Sequence, residues 1–291
     1  MKENPLVSVV INCYNGEKYL KEAIDSVYAQ TYQNWEIIFW DNASTDQTAT
    51  IAKSYDKKLR YFSSKETSVL GKARVLAVNE AKGDFLAFLD SDDLWLPDKL
   101  IGRVEIMSVK INVGVVYGRA ELINGEGKNI GYSSPQYKQL PTGNVFSELV
   151  KYNFIPFVSA LVPKNIYYEC GGFPSGYKNS TDYELFLSIS YKYEVHCIDE
   201  VICSYRLHGV NLSSKQKVIS AQESISTVSK FLPSASAKAG LQYQYIELFV
   251  SSIREFNFSM LFCSVLRIRR FDLLLYRIYI GLKSVLIKVM D

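Results

Sequence analysis

Five consecutive apolar residues, Phe85-Leu86-Ala87-Phe88-Leu89, run straight into Asp90-Ser91-Asp92-Asp93, and this junction limits what the chain can fold into. An uninterrupted apolar run this short reads as a strand covered on both faces, the central position of an α/β sheet. Such a strand delivers its terminal carboxylates to the carboxyl edge of the sheet, where open α/β sheets collect their ligands. Asp90 and Asp92, two residues apart, can turn oxygens toward one hard divalent cation, which takes carboxylates together with the oxygens of a bound phosphate. The same spacing also fits a solvated turn in which Asp92 or Asp93 caps the following helix. The junction alone does not separate the two readings.

The flanking sequence predicts an alternation of strands and helices. A β-branched run over 7–11 ends in Asn12-Cys13-Tyr14-Asn15-Gly16, and Tyr19, Leu20, Ala23, Ile24, Val27 and Tyr28 then recur with helical spacing. A second strand over 36–40 with its terminal loop at 41–45, a helix around 48–55, a short strand over 60–62 and a helix over 71–81 follow. This order predicts a parallel sheet with right-handed crossovers. Beyond Pro97 the pattern gives a helix to about Lys110, a strand over 114–118, a glycine-dotted hairpin or loop over 124–143 and a strand over 154–162. A helix over 180–193 is opened by Thr181-Asp182-Tyr183-Glu184, where Thr181 and Glu184 have capping-box spacing. From about Ser214 the strand pattern gives way to helix. The first strand is not followed by GxGxxG, which removes a dinucleotide-binding dehydrogenase.

Composition enters at three points. The 33 Lys and Arg nearly balance the 30 Asp and Glu, which leaves no electrostatic footprint for nucleic acid. The five cysteines, Cys13, Cys170, Cys197, Cys203 and Cys263, form no CxxC pair, which argues against zinc and for reduced thiols. With an N-terminal stretch that carries no signal-peptide or lipidation pattern, this predicts a cytoplasmic protein. The tail over 258–290 is rich in Leu, Ile and Phe but is interrupted by Arg267, Arg269, Arg270, Arg277, Lys283 and Lys288. Those charges exclude a spanning helix, which needs about 20 mostly apolar residues. As one helix the segment would align Arg270, Arg277 and Lys288, the pattern of a basic amphipathic helix lying peripherally on an anionic membrane. A helix packed on its own domain, or one across a homo-oligomer interface, fits the same pattern.

Val7-Ser8-Val9-Val10-Ile11-Asn12-Cys13-Tyr14-Asn15, Asp41-Asn42-Ala43-Ser44-Thr45-Asp46 and the Asp90-Ser91-Asp92 junction stand in an order and spacing that closely resemble the family 2 inverting nucleotide-sugar glycosyltransferases. The resemblance covers roughly the first two thirds of the chain and implies an α/β, GT-A type fold: a mostly parallel central sheet flanked by helices, with a Rossmann-like nucleotide half and a C-terminal helical extension. It divides the chain into a catalytic domain over 1–213, its nucleotide half about 1–95 and its acceptor half about 96–213, and an extension over 214–291. By position, Tyr14 packs on the base and Asp41 hydrogen-bonds it, although the usual pair of aspartates is here Asp41-Asn42. Arg74 lies beside the nucleotide, Asp90 and Ser91 contact the donor, and Asp92 meets Mn²⁺ or Mg²⁺ on the diphosphate. Tyr205-Arg206-Leu207-His208 is similar to the segment that closes over the diphosphate, which gives Arg206 as a donor contact and His208 as a second metal ligand. Asp182 matches the catalytic base, with Thr181 in place of the first acid of the family's pair.

The implied activity is non-processive transfer of a sugar from a nucleoside diphosphate, expected to be UDP, to a hydroxyl of a glycan or lipid-linked acceptor in cell-surface polysaccharide biosynthesis. The QxxRW motif of processive relatives is missing. A nucleotidyltransferase would need a glycine-rich, lysine-bearing loop near the N-terminus, which is not found. A catalytically silent sugar-nucleotide-binding module of the same fold is opposed by Asp90, Asp92 and Asp182.

Overall fold

The computed structural model describes residues 4–134, 136–209, 211, 216–275 and 277. Strand β1 (Val7–Cys13) is buried along nearly its whole length, because β-branched residues fit a pleated surface covered on both sides. Helix α1 (Leu20–Tyr28) returns over the sheet with Leu20, Ala23, Ile24 and Val27 fully buried, the face its periodicity predicts. Then come β2 (Trp35–Asp41), α2 (Thr48–Lys53), β3 (Leu59–Ser63), α3 (Leu70–Asn79) and β4 (Phe85–Phe88). Each fully buried Val, Ile or Phe in these strands contributes about 1.5–3 kcal/mol relative to exposure. The elements that follow are β5 (Leu94–Trp95), α4 (Lys99–Val109), β6 (Val113–Ile123), β7 (Asn129–Tyr132), α5 (Phe146–Leu149), β8 (Leu161–Pro163), α6 (Lys164–Glu169), α7 (Thr181–Ser190) and β9 (Glu194–Arg206).

The sheet runs β3-β2-β1-β4-β8-β6-β9-β5, with β7 paired to β6. β1 lies parallel to both β2 and β4, and β2 parallel to β3, so the expected parallel sheet is found in this half. Beyond β4 the sheet is mixed: β8 is antiparallel to β4 and to β6, while β9 is parallel to β6. The chain leaves β1 toward β2 and returns to β4 on β1's other side. A crevice therefore opens between the carboxyl ends of β1 and β4, the topological switch point where α/β sheets bind ligands.

Several expectations are corrected. Residues 154–162 do not form one strand: Pro156, which has no N–H to give a ladder, accepts from Ser159 N and starts a 3₁₀ turn over Phe157–Ser159, leaving only β8 extended. The strand expected over 114–118 continues to Ile123 and turns through Asn124, whose side chain accepts from the N–H groups of Glu126 and Lys128. β9 was not foreseen, because Glu194, His196, Asp199 and Glu200 break any apolar alternation. Its register against β6 shifts three times, which accommodates those charges at the edge.

Two compact units are present, Met1–Val145 with Asn153–Gly209, and Phe146–Tyr152 with Val210–Asp291. The second unit is helical, built on α8 (Lys217–Ser229), α9 (Ala235–Arg254) and α10 (Phe258–Val265). Within it, Val218 and Ala221 pack on Leu248, and Gln244 donates to the Val150 carbonyl at 3.0 Å. The tail is not one helix, since 267–270 is not helical, so the stripe of Arg270 and Arg277 does not form there. Arg270 instead pairs with Asp272, and Arg277 with Glu247. Lys283 and Lys288 lie outside the described residues. Among the described residues no helix is long and apolar enough to cross a membrane. All five cysteines are free.

Gly71 opens α3 against the 174–177 loop, donating its N–H to the Tyr177 carbonyl at 2.9 Å. A Cβ there would strike the Pro174 carbonyl oxygen and lie 3.0 Å from that of Tyr177, both backbone and unable to yield cheaply. Gly71→Ala is expected to cost about 1–3 kcal/mol of stability, read as a lower urea midpoint.

Candidate active site

At the switch point the chain beyond β4 turns back on itself, with Asp93 N donating to the Asp90 carbonyl at 3.1 Å. This turn is gripped from two sides by buried arginines. On one side Arg74 of α3, only 4% exposed, lies with its guanidinium 3.7 Å over the Phe157 ring. Its Nη2 donates to Asp90 Oδ1 at 2.9 Å and its Nη1 to Thr181 Oγ1 at 2.6 Å. One side chain thus joins α3, the tip of β4 and the start of α7.

The capping box expected at α7 is not formed by Thr181. Thr181 is the first residue inside the helix, Ser180 holds the N-cap position without a side-chain cap bond, and the Thr181 hydroxyl serves Arg74. Asp182, the second residue of that helix, is half-buried and accepts from Asn153 Nδ2 at 2.9 Å through Oδ2. Burial pushes its carboxyl above the usual carboxylate range. The Arg74 guanidinium and the N–H groups at the helix start pull it back down, and Asp90 adds a smaller upward push.

On the other side of the turn, Arg206 at the end of β9 is 1% exposed. Its Nε donates to the Asp92 carbonyl and its Nη2 to Glu22, both at 2.8 Å, and its guanidinium stacks 4.4 Å over the Tyr19 ring. The guanidinium expected to contact a donor is therefore engaged by these protein groups. His208 also leans on Tyr19, with ring centroids 5.3 Å apart, and its Nε2 lies 2.8 Å from Asp92 Oδ2. Burial, then the neighbouring Asp90, hold the Asp92 carboxyl above its ordinary range, while His208 opposes them. Asp93 does not cap a helix: α4 begins only at Lys99, and Asp93 is buried with Oδ1 accepting from Arg206 N at 2.8 Å and Oδ2 without a hydrogen-bond partner. Burial and the two neighbouring aspartates raise its carboxyl well above the usual value.

The remaining expected residues lie on the β1 and β2 side, exposed in the case of Tyr14 and buried in the case of Asp41. Tyr14 is 54% exposed in the turn after β1. That turn is tied to the loop after β2, where Asn15 Oδ1 accepts from Thr45 N at 2.8 Å and Ser44 Oγ from Asn15 N at 2.9 Å. Asp41 is 2% exposed and faces inward: Oδ1 accepts from Ser44 N and Oδ2 from the Tyr61 hydroxyl, both at 2.7 Å. Asn42 needs its amide, because Nδ2 donates to the Ser68 carbonyl while Oδ1 accepts from Ser68 N, and a carboxylate could not do both. Ser91 is half-buried beside Cys13, whose thiol burial pushes up to about 11 against the Ser91 hydroxyl.

Among the described residues no group of three or more His, Cys, Asp and Glu side chains stands ready for a metal. Asp92 and His208 nevertheless supply an oxygen and a nitrogen donor to one place beside further carboxylates. That set suits a divalent cation that accepts carboxylate oxygen together with imidazole nitrogen. Sequence reasoning missed Asn153, Tyr19 and Glu22. Tyr19 read only as part of an apolar helix face, and single polar residues such as Asn153 and Glu22 carry no local signal.

The parallel half-sheet, its acid-tipped fourth strand and the mixed second half define the GT-A type of α/β fold. Residues 8–171 match the family described as Glycosyl transferase family 2, and the chain belongs to that family. It is similar to an uncharacterized glycosyltransferase of Rickettsia felis, 33% identical over 72% of this chain and 36% of that protein, so it spans about a third of that relative's length. It is also similar to Escherichia coli WfgD, a UDP-Glc:alpha-D-GlcNAc-diphosphoundecaprenol beta-1,3-glucosyltransferase, 30% identical over 72% of this chain and 81% of that one. Solved structures with the same fold include Staphylococcus aureus TarS 1-349 in complex with UDP-GlcNAc, at TM-score 0.66 and 19% identity over 84% of this chain and 72% of that one. The mannosyltransferase PcManGT of Pyrobaculum calidifontis, in complex with GDP-Man and Mn²⁺, aligns at TM-score 0.63 and 18% identity over 87% of this chain and 76% of that one.

Thr181 is fully buried, so its hydroxyl cannot be replaced by water. Thr181→Val keeps the shape but leaves Arg74 Nη1 without its acceptor. The expected cost is about 1–3 kcal/mol in urea denaturation.

Proposed function

We propose that the chain is a non-processive inverting glycosyltransferase that moves a sugar from a nucleoside diphosphate, UDP by the likeness to WfgD, to a hydroxyl of a glycan or lipid-linked acceptor in cell-surface polysaccharide biosynthesis. The observation that carries this reading is the Arg74 bridge, which holds Asp90 and the start of the Asp182 helix on one crevice. Tyr14, exposed after β1, offers its ring to a base, half-buried Ser91 stands at the tip of β4, and Asp41, buried at the end of β2, would reach the base through a rearrangement of its bonds to Ser44 and Tyr61. Asp90 takes the ribose, and the buried positive charge of Arg74 beside it offsets the donor's phosphates. Asp92 and His208 would hold Mn²⁺ or Mg²⁺, which supplies electrostatic stabilisation of the departing diphosphate when bound. Arg206 steadies Asp92 from behind.

Inversion needs the acceptor hydroxyl to attack opposite the leaving phosphate while a base removes its proton. Asp182 fits that task because burial has raised its carboxyl, bringing its proton affinity closer to what general-base work near neutral pH requires. The proton passes from the acceptor oxygen to Asp182 as the new glycosidic bond forms and the sugar–phosphate bond breaks. A cytoplasmic enzyme acting at the inner face of the membrane suits a lipid-linked acceptor. In the helical unit the exposed Phe256, Phe258, Phe262 and Leu266 lie in a stretch that also exposes Arg254, Arg267, Arg269 and Arg270, a combination suited to an anionic lipid surface. Self-association through the same face is the competing use.

The proposal predicts slow UDP release from UDP-sugars with Mn²⁺ present. Asp182→Asn should lower transfer by about 10²-fold or more with donor affinity retained in calorimetry. Since the base works ionised and burial raises its pKa, activity should be present above that pKa and lost as pH falls through it, with the acid limb above the range of an ordinary aspartate. Absence of binding to any nucleotide sugar, with or without metal, would overturn the reading. Sedimentation with phosphatidylserine vesicles should fall when Phe258 and Phe262 are both changed to Ser, and also at high salt. Unchanged sedimentation, or a dimer lost in the same variant, would instead assign the face to self-association.

A further inference from the structure

Asn153 sits in the bend that leads to Pro156. Its Oδ1 accepts from Ile155 N at 3.4 Å, which orients the amide. The Nδ2 end is thereby directed at Asp182, to whose Oδ2 it donates at 2.9 Å. Asn153 and Asp182 are both half-buried, so water is partly excluded from this bond. An Asp at 153 would have no proton to donate when ionised, and a Ser would fall short, so the amide is suited to this distance and direction.

We infer that Asn153 is a positioning residue for the base: its amide fixes the plane of the Asp182 carboxylate and so aims it at the acceptor hydroxyl. The inference rests on Asp182 acting as the base. Asn153 acts on the second residue of α7 from the loop after α5, a different direction from Arg74, which grips the first residue of that helix from α3. The charged groups that face Asp182 are Arg74, which favours its ionised form, and Asp90, which opposes it; the N–H groups of Asp182 and Tyr183 add to the Arg74 side. Asn153 differs from all of these in being a neutral side-chain donor. It orients the carboxylate and favours the ionised form without changing the charge of the crevice.

The test reads Asp182 directly, in the full-length protein with aspartate labelled at the γ-carboxyl carbon and the Asp182 resonance assigned by its loss in Asp182→Asn. Asn153→Ala should move the Asp182 titration midpoint up by about one pH unit, the effect of losing one hydrogen bond to a charged group. Asn153→Asp should move it further, by placing a like charge beside it. In turnover of UDP-glucose with Mn²⁺, Asn153→Ala should shift the acid limb by the same amount and lower kcat with donor KM unchanged. Thermal melts of both variants establish that they fold. A midpoint that moves by less than about 0.3 pH unit in folded Asn153→Ala overturns the inference, since a charge-assisted bond removed cannot act so weakly. A loss of donor affinity that parallels the loss of rate also overturns it. Failure of the underlying reading looks different: Asp182→Asn would then retain turnover, whatever Asn153→Ala does to the titration.

Discussion

A guanidinium buried on an aromatic face has given up its water, and it stays there only if the protein supplies acceptors in its plane. Arg74 meets that condition with one carboxylate and one hydroxyl drawn from elements 107 residues apart at the wider gap, between Arg74 and Thr181. Because each N–H has one acceptor in one direction, the bridge fixes distances as well as supplying energy. The tip of β4 and the start of α7 cannot drift apart without stranding a charge in a site 4% exposed. Such stranding costs more than losing a neutral hydrogen bond nearby.

The turn held in this way carries an internal conflict. Burial disfavours the charges of Asp92 and Asp93, and repulsion from the neighbouring aspartates adds to it, which is why both carboxyls are raised. A folded chain does not keep such a cluster for stability, since apolar residues of similar volume would pack there at no electrostatic cost. Arg74 and Arg206 offset part of the repulsion from opposite sides. The remainder is what a cation would relieve, so the cluster is better explained by a ligand that arrives than by the fold that holds it.

How much of this was legible in the sequence follows from range. The strands β1, β2 and β4 announce themselves because burial on both faces leaves a nearly continuous apolar run, and the acids at the ends of β2 and β4 are adjacent in sequence to that signal. Residues 154–162 misled because an apolar run says nothing about whether its N–H groups find a ladder, and Pro156 decides that. Thr181 looked like a cap because spacing cannot reveal that an arginine more than a hundred positions away claims its hydroxyl. Asp93 looked like a cap for the same reason, its true neighbour being the backbone of Arg206.

The same consideration accounts for Thr181 itself. An acid at that position would pair with Arg74 and neutralise it locally, leaving less of its field for Asp182 one residue on. A threonine accepts the hydrogen bond without cancelling the charge, so Arg74, paired with Asp90, continues to favour the ionised form of Asp182. Threonine at this position therefore keeps the bridge and leaves the charge of Arg74 to the two carboxylates beside it.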